Sequence, residues 1–252
     1  MRCVAMLLKL IACNVFVREA CWCIAQSPNV IDVEFTELGE HARPQALREL
    51  IQSRIDAADA SGKSYDAILL LFGLCGNATV GLRARRTQLV MPRAHDCCTI
   101  LLGSRQKYLE HFADAPSTPF SSCGYIERGQ YFLRTADDGT SQVVVGDAYK
   151  QLVARYGEED ARFIWEQMHP EHEANRRAVF IELPQTQHLG HAARFAQKAA
   201  AEGRQYVHLQ GDIRLIRNLI DGQWDPKDYL IVPPNHTIEG VYDHEQVVRV
   251  KP

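Results

Sequence analysis

Apolar runs of strand length alternate along this chain with segments in which apolar residues recur every three or four positions. The strand-length runs are Val4–Ala12, Val30–Phe35, Tyr65–Phe72, Gln88–Met91, Ala178–Leu183, Gln205–Leu209 and Tyr229–Val232. Several are nearly continuous in apolar character, as strands buried on both faces of a parallel sheet require. Helical spacing marks the segments between them. Pro44–Ala60 sets Leu47, Leu50, Ile51 and Ile55 on one face, and Tyr149–Met168 does the same with Leu152, Val153, Tyr156, Phe163, Ile164 and Met168. His191–Glu202 and Ile213–Ile220 follow the same rule. The alternation predicts an α/β protein with an open, mostly parallel sheet and helices on both faces.

One region breaks the rhythm. Tyr131-Phe132-Leu133 and Val143-Val144-Val145 flank the turn Asp137-Asp138-Gly139-Thr140, which reads as a β-hairpin. The expected organisation is one α/β domain over 1–252, readable as two lobes (1–115 and 146–252) with a hairpin insert at 117–145. No internal repeat and no low-complexity linker divides it.

Composition narrows the function. With 252 residues the chain can bury a core without disulfide or metal staples. Its 31 acidic and 28 basic residues leave a net charge of −3, so no global basic excess is available to hold nucleic acid. No apolar run approaches the roughly 18 residues of a membrane-spanning helix. The start of the chain, through Leu10-Ile11-Ala12-Cys13, has some look of a secretory signal with a lipoprotein box. Lys9 splits its apolar stretch, however, and Arg2 is its one basic lead residue, so it reads as a buried first strand in a cytoplasmic protein. In a reducing compartment the 8 cysteines are more naturally metal ligands or reactive thiols than disulfides.

Three of those cysteines share one structural position. Cys13 closes the first apolar run, Cys75 lies in Gly73-Leu74-Cys75-Gly76-Asn77 after the third, and Cys97 lies in His95-Asp96-Cys97-Cys98 after the fourth. The carboxyl ends of parallel strands share one edge, where ligand crevices open. If these strands are neighbours, Cys13, Cys75 and Cys97 meet there. Thiolates suit zinc or an iron–sulfur cluster, with His95 completing the set or one position left open for chemistry. The competing reading is that each is a small core residue. Gly73, Gly76 and Asn77 can shape a loop whose backbone approaches a bound cofactor. The loop lacks a dinucleotide fingerprint and a P-loop lysine. Arg93 can meet an anionic small-molecule substrate or pair with Asp96. His95 is a candidate acid–base group, and Cys97 near a helix start is a candidate metal-free nucleophile with His95 as its base.

Other features read more plainly. Cys21-Trp22-Cys23 is too closely spaced for the usual metal spacer, and Trp22 suggests a packed helix face. Cys98 is expected to turn away from Cys97 into its helix, and Cys123 is a reserve fourth ligand. His169-Pro170-Glu171-His172-Glu173 lacks the spacing of a zinc protease helix and reads as a solvated helix end. His188 and His191 read as surface residues at a helix start.

Ile11-Ala12-Cys13, Phe72-Gly73-Leu74-Cys75-Gly76-Asn77 and Pro92-Arg93-Ala94-His95-Asp96-Cys97 resemble signature blocks of a bacterial and archaeal family, domain of unknown function 1638. Leu101-Leu102-Gly103-Ser104, Tyr156-Gly157-Glu158-Glu159, Gly211-Asp212 before Leu215, and Asp228-Tyr229-Leu230-Ile231-Val232-Pro233-Pro234 are similar too. In that family the position of Cys98 is usually aliphatic, while Cys123 and Cys21–Cys23 are not signature positions. The resemblance therefore leaves Cys13, Cys75 and Cys97 as the ligand set. It implies a cytoplasmic protein working with corrinoid-dependent methyltransferase systems for methylated amines. No Asp-x-His-x-x-Gly corrinoid loop is present, the pair standing as His95-Asp96. The implied role is an enzyme or accessory factor of methyl transfer and one-carbon metabolism. A non-catalytic metal or cofactor carrier or sensor is the alternative.

Overall fold

A computed structural model describes residues 5–37, 44–114, 118–129, 153, 156–158, 177–241 and 246–252. Five strands form the main sheet: β1 (Leu7–Cys13), β2 (Val30–Thr36), β3 (Ala67–Leu71), β4 (Leu89–Pro92) and β8 (Tyr229–Val232), in the order β2-β1-β3-β4-β8. The first four are parallel and β8 runs antiparallel to β4. The expected mixed α/β architecture with a mostly parallel central sheet is therefore what the chain adopts. β3 is buried along its whole length, as a strand covered on both faces must be. β2 is the edge strand and keeps charge on it. Its Glu34 meets Lys9 of β1 at 3.1 Å and Arg54 at 2.8 Å, so the lysine that interrupts the first apolar run has a partner on the neighbouring strand.

The helices obey local rules. In α2 (Pro44–Ala60), Leu47, Ile51, Ile55 and Ala58 are buried at helical spacing, and Pro44 occupies the first position, where its missing N–H costs nothing. α1 (Val17–Ile24) follows β1 through a 3-10 turn, Asn14–Phe16. α3 (Cys97–Leu102) is capped by Asp96, whose carboxylate accepts from the Thr99 N–H, and ends at Gly103 with φ +73°. Ser104 caps α4 (Arg105–Phe112) through the Lys107 N–H.

A second sheet stands beside the first. β5 (Phe120–Ser121), β6 (Arg177–Glu182) and β7 (Gln205–Gln210) are parallel in the order β5-β6-β7. β5 leads into α5 (Cys123–Gly129), α6 (His191–Ala201) lies between β6 and β7, and α7 (Arg214–Ile220) follows β7. β6 alternates: Val179 and Ile181 join the main core, while Ala178 and Phe180 pack on Phe195 and Ala199 of α6. One continuous core thus spans both sheets. The chain then returns to the first sheet with β8 and adds the hairpin β9 (Thr237–Gly240) and β10 (Val248–Lys251).

The expected hairpin over 131–145 and the histidine-bearing segment 169–173 lie outside the described residues, as does most of the helix expected over 149–168. Within the expected insert, Phe120–Ser121 is a parallel strand of the second sheet.

Candidate metal centre

Sheet order decides whether the rim cysteines can meet. β1, β3 and β4 are consecutive and parallel, so Cys13, Cys75 and Cys97 leave three adjacent strands at the same edge. Two main-chain bonds zip the loops together: Leu74 N–H donates to Ala94 O at 2.8 Å, and Cys75 N–H to His95 O at 3.0 Å. Cys97 is hydrogen-bonded to the thiols of both Cys13 and Cys75. Cys13 and Cys97 are buried, and Cys75 is half-buried. The Cys97 thiol is raised well above its ordinary pKa by those two bonds first, and by burial next.

The loop carrying Cys75 is strained. Cys75, Gly76 and Asn77 are all left-handed, with φ of +47°, +64° and +69°. For a cysteine that conformation costs on the order of 1 kcal/mol or more, and it persists only because the surroundings hold it. Gly73 is part of the restraint, since a Cβ there would lie 2.6 Å from the Asp96 Cα. Gly73 was expected to help cradle a cofactor. Its missing side chain admits the backbone of Asp96, which brings the Cys75 and Cys97 loops together. Asn77 contributes its carbonyl, which accepts from the Arg48 guanidinium at 2.8 Å.

His95 and Arg93, the residues expected to be catalytic, each have partners in the frame. His95 packs its ring against Tyr108, with centroids 5.8 Å apart, and it lowers the pKa of Asp96 against the larger upward push of burial. The Arg93 guanidinium donates to the carbonyls of Pro226 (2.9 Å), Gln246 (3.0 Å) and Val248. These bonds moor the end of β4 to the turn before β8 and to β10.

Two outcomes concern the other thiols. Cys98 is buried, and desolvation first, then Asp96, holds it well above its usual range. Cys123, expected as a reserve ligand, lies under the influence of Glu127, Glu19 and Arg18. Of the Cys21–Cys23 pair, Cys21 is exposed and Cys23 buried, with Arg217 lying 5.0 Å over the Trp22 ring.

Two features were missed by sequence reasoning. Tyr125 of α5 faces the cluster: burial raises its phenol well above normal, and Cys97, Cys13 and Cys75 add to that. Gly124 makes the approach possible, since a Cβ there would fall 1.7 Å from Val15 O, in the turn after Cys13. His191, expected at the surface, is buried with Nε2 3.3 Å from Glu127 Oε1. Cys123, Glu127 and His191 form a group whose potential ligand atoms all lie within 4.8 Å of one another. The four-residue spacing of Cys123 and Glu127 was a readable signal; their meeting with His191 was not.

Fold and site together define an α/β protein with a mostly parallel central sheet and three cysteines, two of them buried, gathered at the carboxyl edge of its central strands. The chain belongs to the family described as protein of unknown function (DUF1638), which it matches over residues 35–220. Cys75 and Cys97 fall within that span; Cys13 precedes it. No curated protein and no solved structure matches the chain. No helix among the described residues is long and apolar enough to cross a membrane.

Proposed function

We propose that this chain is a cytoplasmic metal–thiolate protein, with Cys13, Cys75 and Cys97 as ligands, that serves corrinoid-dependent methyl transfer as an enzyme or accessory factor. The observation that carries the metal reading is the contact of Cys97 with both other thiols at the ends of three adjacent parallel strands. A single buried cysteine is ordinary core filling, but three that converge from separate elements, one of them held in a left-handed turn, ask for a shared ligand. They suit zinc or an iron–sulfur cluster, whose ligand preferences overlap at such a set. Bound there, zinc supplies a Lewis acid for activating a thiol, and a cluster supplies electron transfer or an open iron. The link to methyl transfer rests on the family resemblance.

Within that reading the chain's own residues have distinct tasks. Cys75, the half-buried thiol, is the one on the accessible side of the cluster. Tyr125 closes the cluster from α5, and His95, two residues before Cys97, is the candidate to carry a proton. The metal-free alternative, with Cys97 as nucleophile, is disfavoured by burial and by the neighbouring thiols, which keep its proton on.

Anaerobic purification with metal analysis and an absorption spectrum, on wild type and Cys75→Ala, tests this. Stoichiometric iron with a brown charge-transfer band, or stoichiometric colourless zinc, lost in the variant, is expected. Absence of metal from anaerobically purified and from metal-reconstituted wild type overturns the reading. His95→Gln separates the two roles in an assay of methyl transfer from methylcobalamin to a thiol. An enzyme keeps its metal and loses turnover, whereas a carrier is unaffected.

A further inference from the structure

We propose that Cys123, Glu127 and His191 form a second metal site, distinct from the three-thiol cluster, which takes a divalent transition ion of the zinc type. The ligands are one thiolate, one carboxylate oxygen and one imidazole nitrogen. Cys123 and Glu127 stand one turn apart on α5, and His191 comes from the first position of α6.

Geometry favours the set. All three potential ligand atoms lie within 4.8 Å of one another. Two nitrogen or oxygen ligands on a tetrahedral zinc ion stand about 3.3 Å apart, given bond lengths near 2.0–2.1 Å. His191 Nε2 and Glu127 Oε1 are already 3.3 Å apart. Arg18 holds the other oxygen, Oε2, at 2.7 Å, so the carboxylate is oriented to offer a single atom, the kind of outer-shell support that metal ligands require. A further carboxyl is on hand. Glu19 of α1 is buried, and its Oε2 has no hydrogen-bond partner among the described residues. Its charge acts on Cys123 and is acted on by Glu127, which puts that carboxyl beside the trio.

The proton balance follows from the hydrogen bonds. Arg194 donates to His191 Nδ1 at 2.7 Å, so the metal-free ring carries its proton on Nε2 and shares it with Glu127. Formation of the Nε2–metal bond releases that proton, Nδ1 takes one up, and Arg194 turns to the Leu189 carbonyl, already 3.5 Å away. The imidazole is neutral before and after. Cys123 exchanges its S–H for a sulfur–metal bond, so the site releases one proton per ion.

The test is titration of the metal-stripped, reduced full-length chain with Co2+ alone, following thiolate charge transfer and bound equivalents. Cys123→Ser and His191→Gln are each expected to remove one equivalent with a single-thiolate band, and Cys75→Ala to leave it in place. Glu127→Gln, which keeps size and an oxygen for Arg18, is expected to weaken that equivalent at least tenfold. Stoichiometry and spectra that match wild type in both Cys123→Ser and His191→Gln, with their metal-free melting midpoints unchanged, overturn the second site. Loss of every equivalent in Cys75→Ala alone also overturns it, while leaving the three-thiol reading intact. The converse, loss in His191→Gln alone, sinks the three-thiol reading and keeps this one.

Discussion

The two clusters lie on either side of α5 and are built in opposite ways. At the sheet edge, neutral thiols are buried against one another, and a half-exposed cysteine is held in a left-handed turn. On the other side, Glu127 is paired at once with Arg18 and His191, and those partners hold its carboxyl below the usual range. The first cluster has donors without a complementary charge; the second has most of its charge already matched. A metal ion therefore has more to contribute at the thiol edge. At the trio it competes with hydrogen bonds that hold without it, but it displaces one thiol proton there against up to three at the sheet edge, which makes occupancy of the thiol edge the more pH-sensitive.

Gly124 is the place where the contrast can be broken outright, because it seats α5 against the turn after Cys13. A Cβ 1.7 Å from a main-chain oxygen cannot be absorbed by side-chain motion. Gly124→Ala is expected to cost upward of about 3 kcal/mol, beyond ordinary overpacking. It should also disturb both clusters together. Denaturant melts and metal stoichiometry check this; a loss confined to one cluster would show that α5 is not their shared support.

Glu19 offers a pH test. Burial raises its carboxyl from 4.5 to about 7, against its own main-chain hydrogen bond, with Glu127 adding and Arg18 subtracting. The folded state then binds more protons than the unfolded one between those values. Stability is accordingly expected to be full below about pH 4.5, to fall as pH rises, and to level off above about 7. The span is at most about 3 kcal/mol, from 1.36 kcal/mol per unit. Glu19→Gln should flatten this slope in urea melts taken from pH 5 to 8. An unchanged slope would mean that the carboxyl is hydrated.

Gly73→Ala sharpens the comparison from the other side. Its Cβ would meet the Asp96 backbone at 2.6 Å, so a loss of about 2 kcal/mol is expected, together with weakened metal retention at Cys75 and Cys97. The Cys123 group should be untouched. Parallel Co2+ titrations of both sites would reveal any coupling.

Much of the frame was legible because its signals are local. The limits expected for α2 and β8, Pro44–Ala60 and Tyr229–Val232, are those observed. The three rim cysteines stood out because each ends or follows an apolar run. What pattern alone leaves open is which sheet a strand joins. β6 and β7 read as continuations of the first sheet, yet they form another with β5, whose two residues are too few to show periodicity. His191 was misplaced for a similar reason: its partner Glu127 is 64 residues away in sequence. The carbonyl partners of Arg93, more than 130 positions onward, were equally out of reach of local pattern.

The smallest expected effect bears on whether any of these thiols is reactive without metal. Cys21 is exposed, Cys97 is buried with its pKa raised well above normal by Cys13, Cys75 and burial, and Cys123 is pushed up to about 12, chiefly by burial. Each unit of pKa rise lowers the thiolate fraction at neutral pH tenfold. In the metal-stripped, folded chain, iodoacetamide at pH 7 should therefore label Cys21 first, with Cys97 and Cys123 at least tenfold slower by peptide mass mapping. Adding zinc should slow Cys97 and Cys123 further while leaving Cys21 unchanged, which separates ligation from mere burial. Cys97 labelling as fast as Cys21, and indifferent to zinc, would instead make Cys97 an activated nucleophile. The strained Cys75 loop would then be a support for covalent chemistry and not a metal ligand.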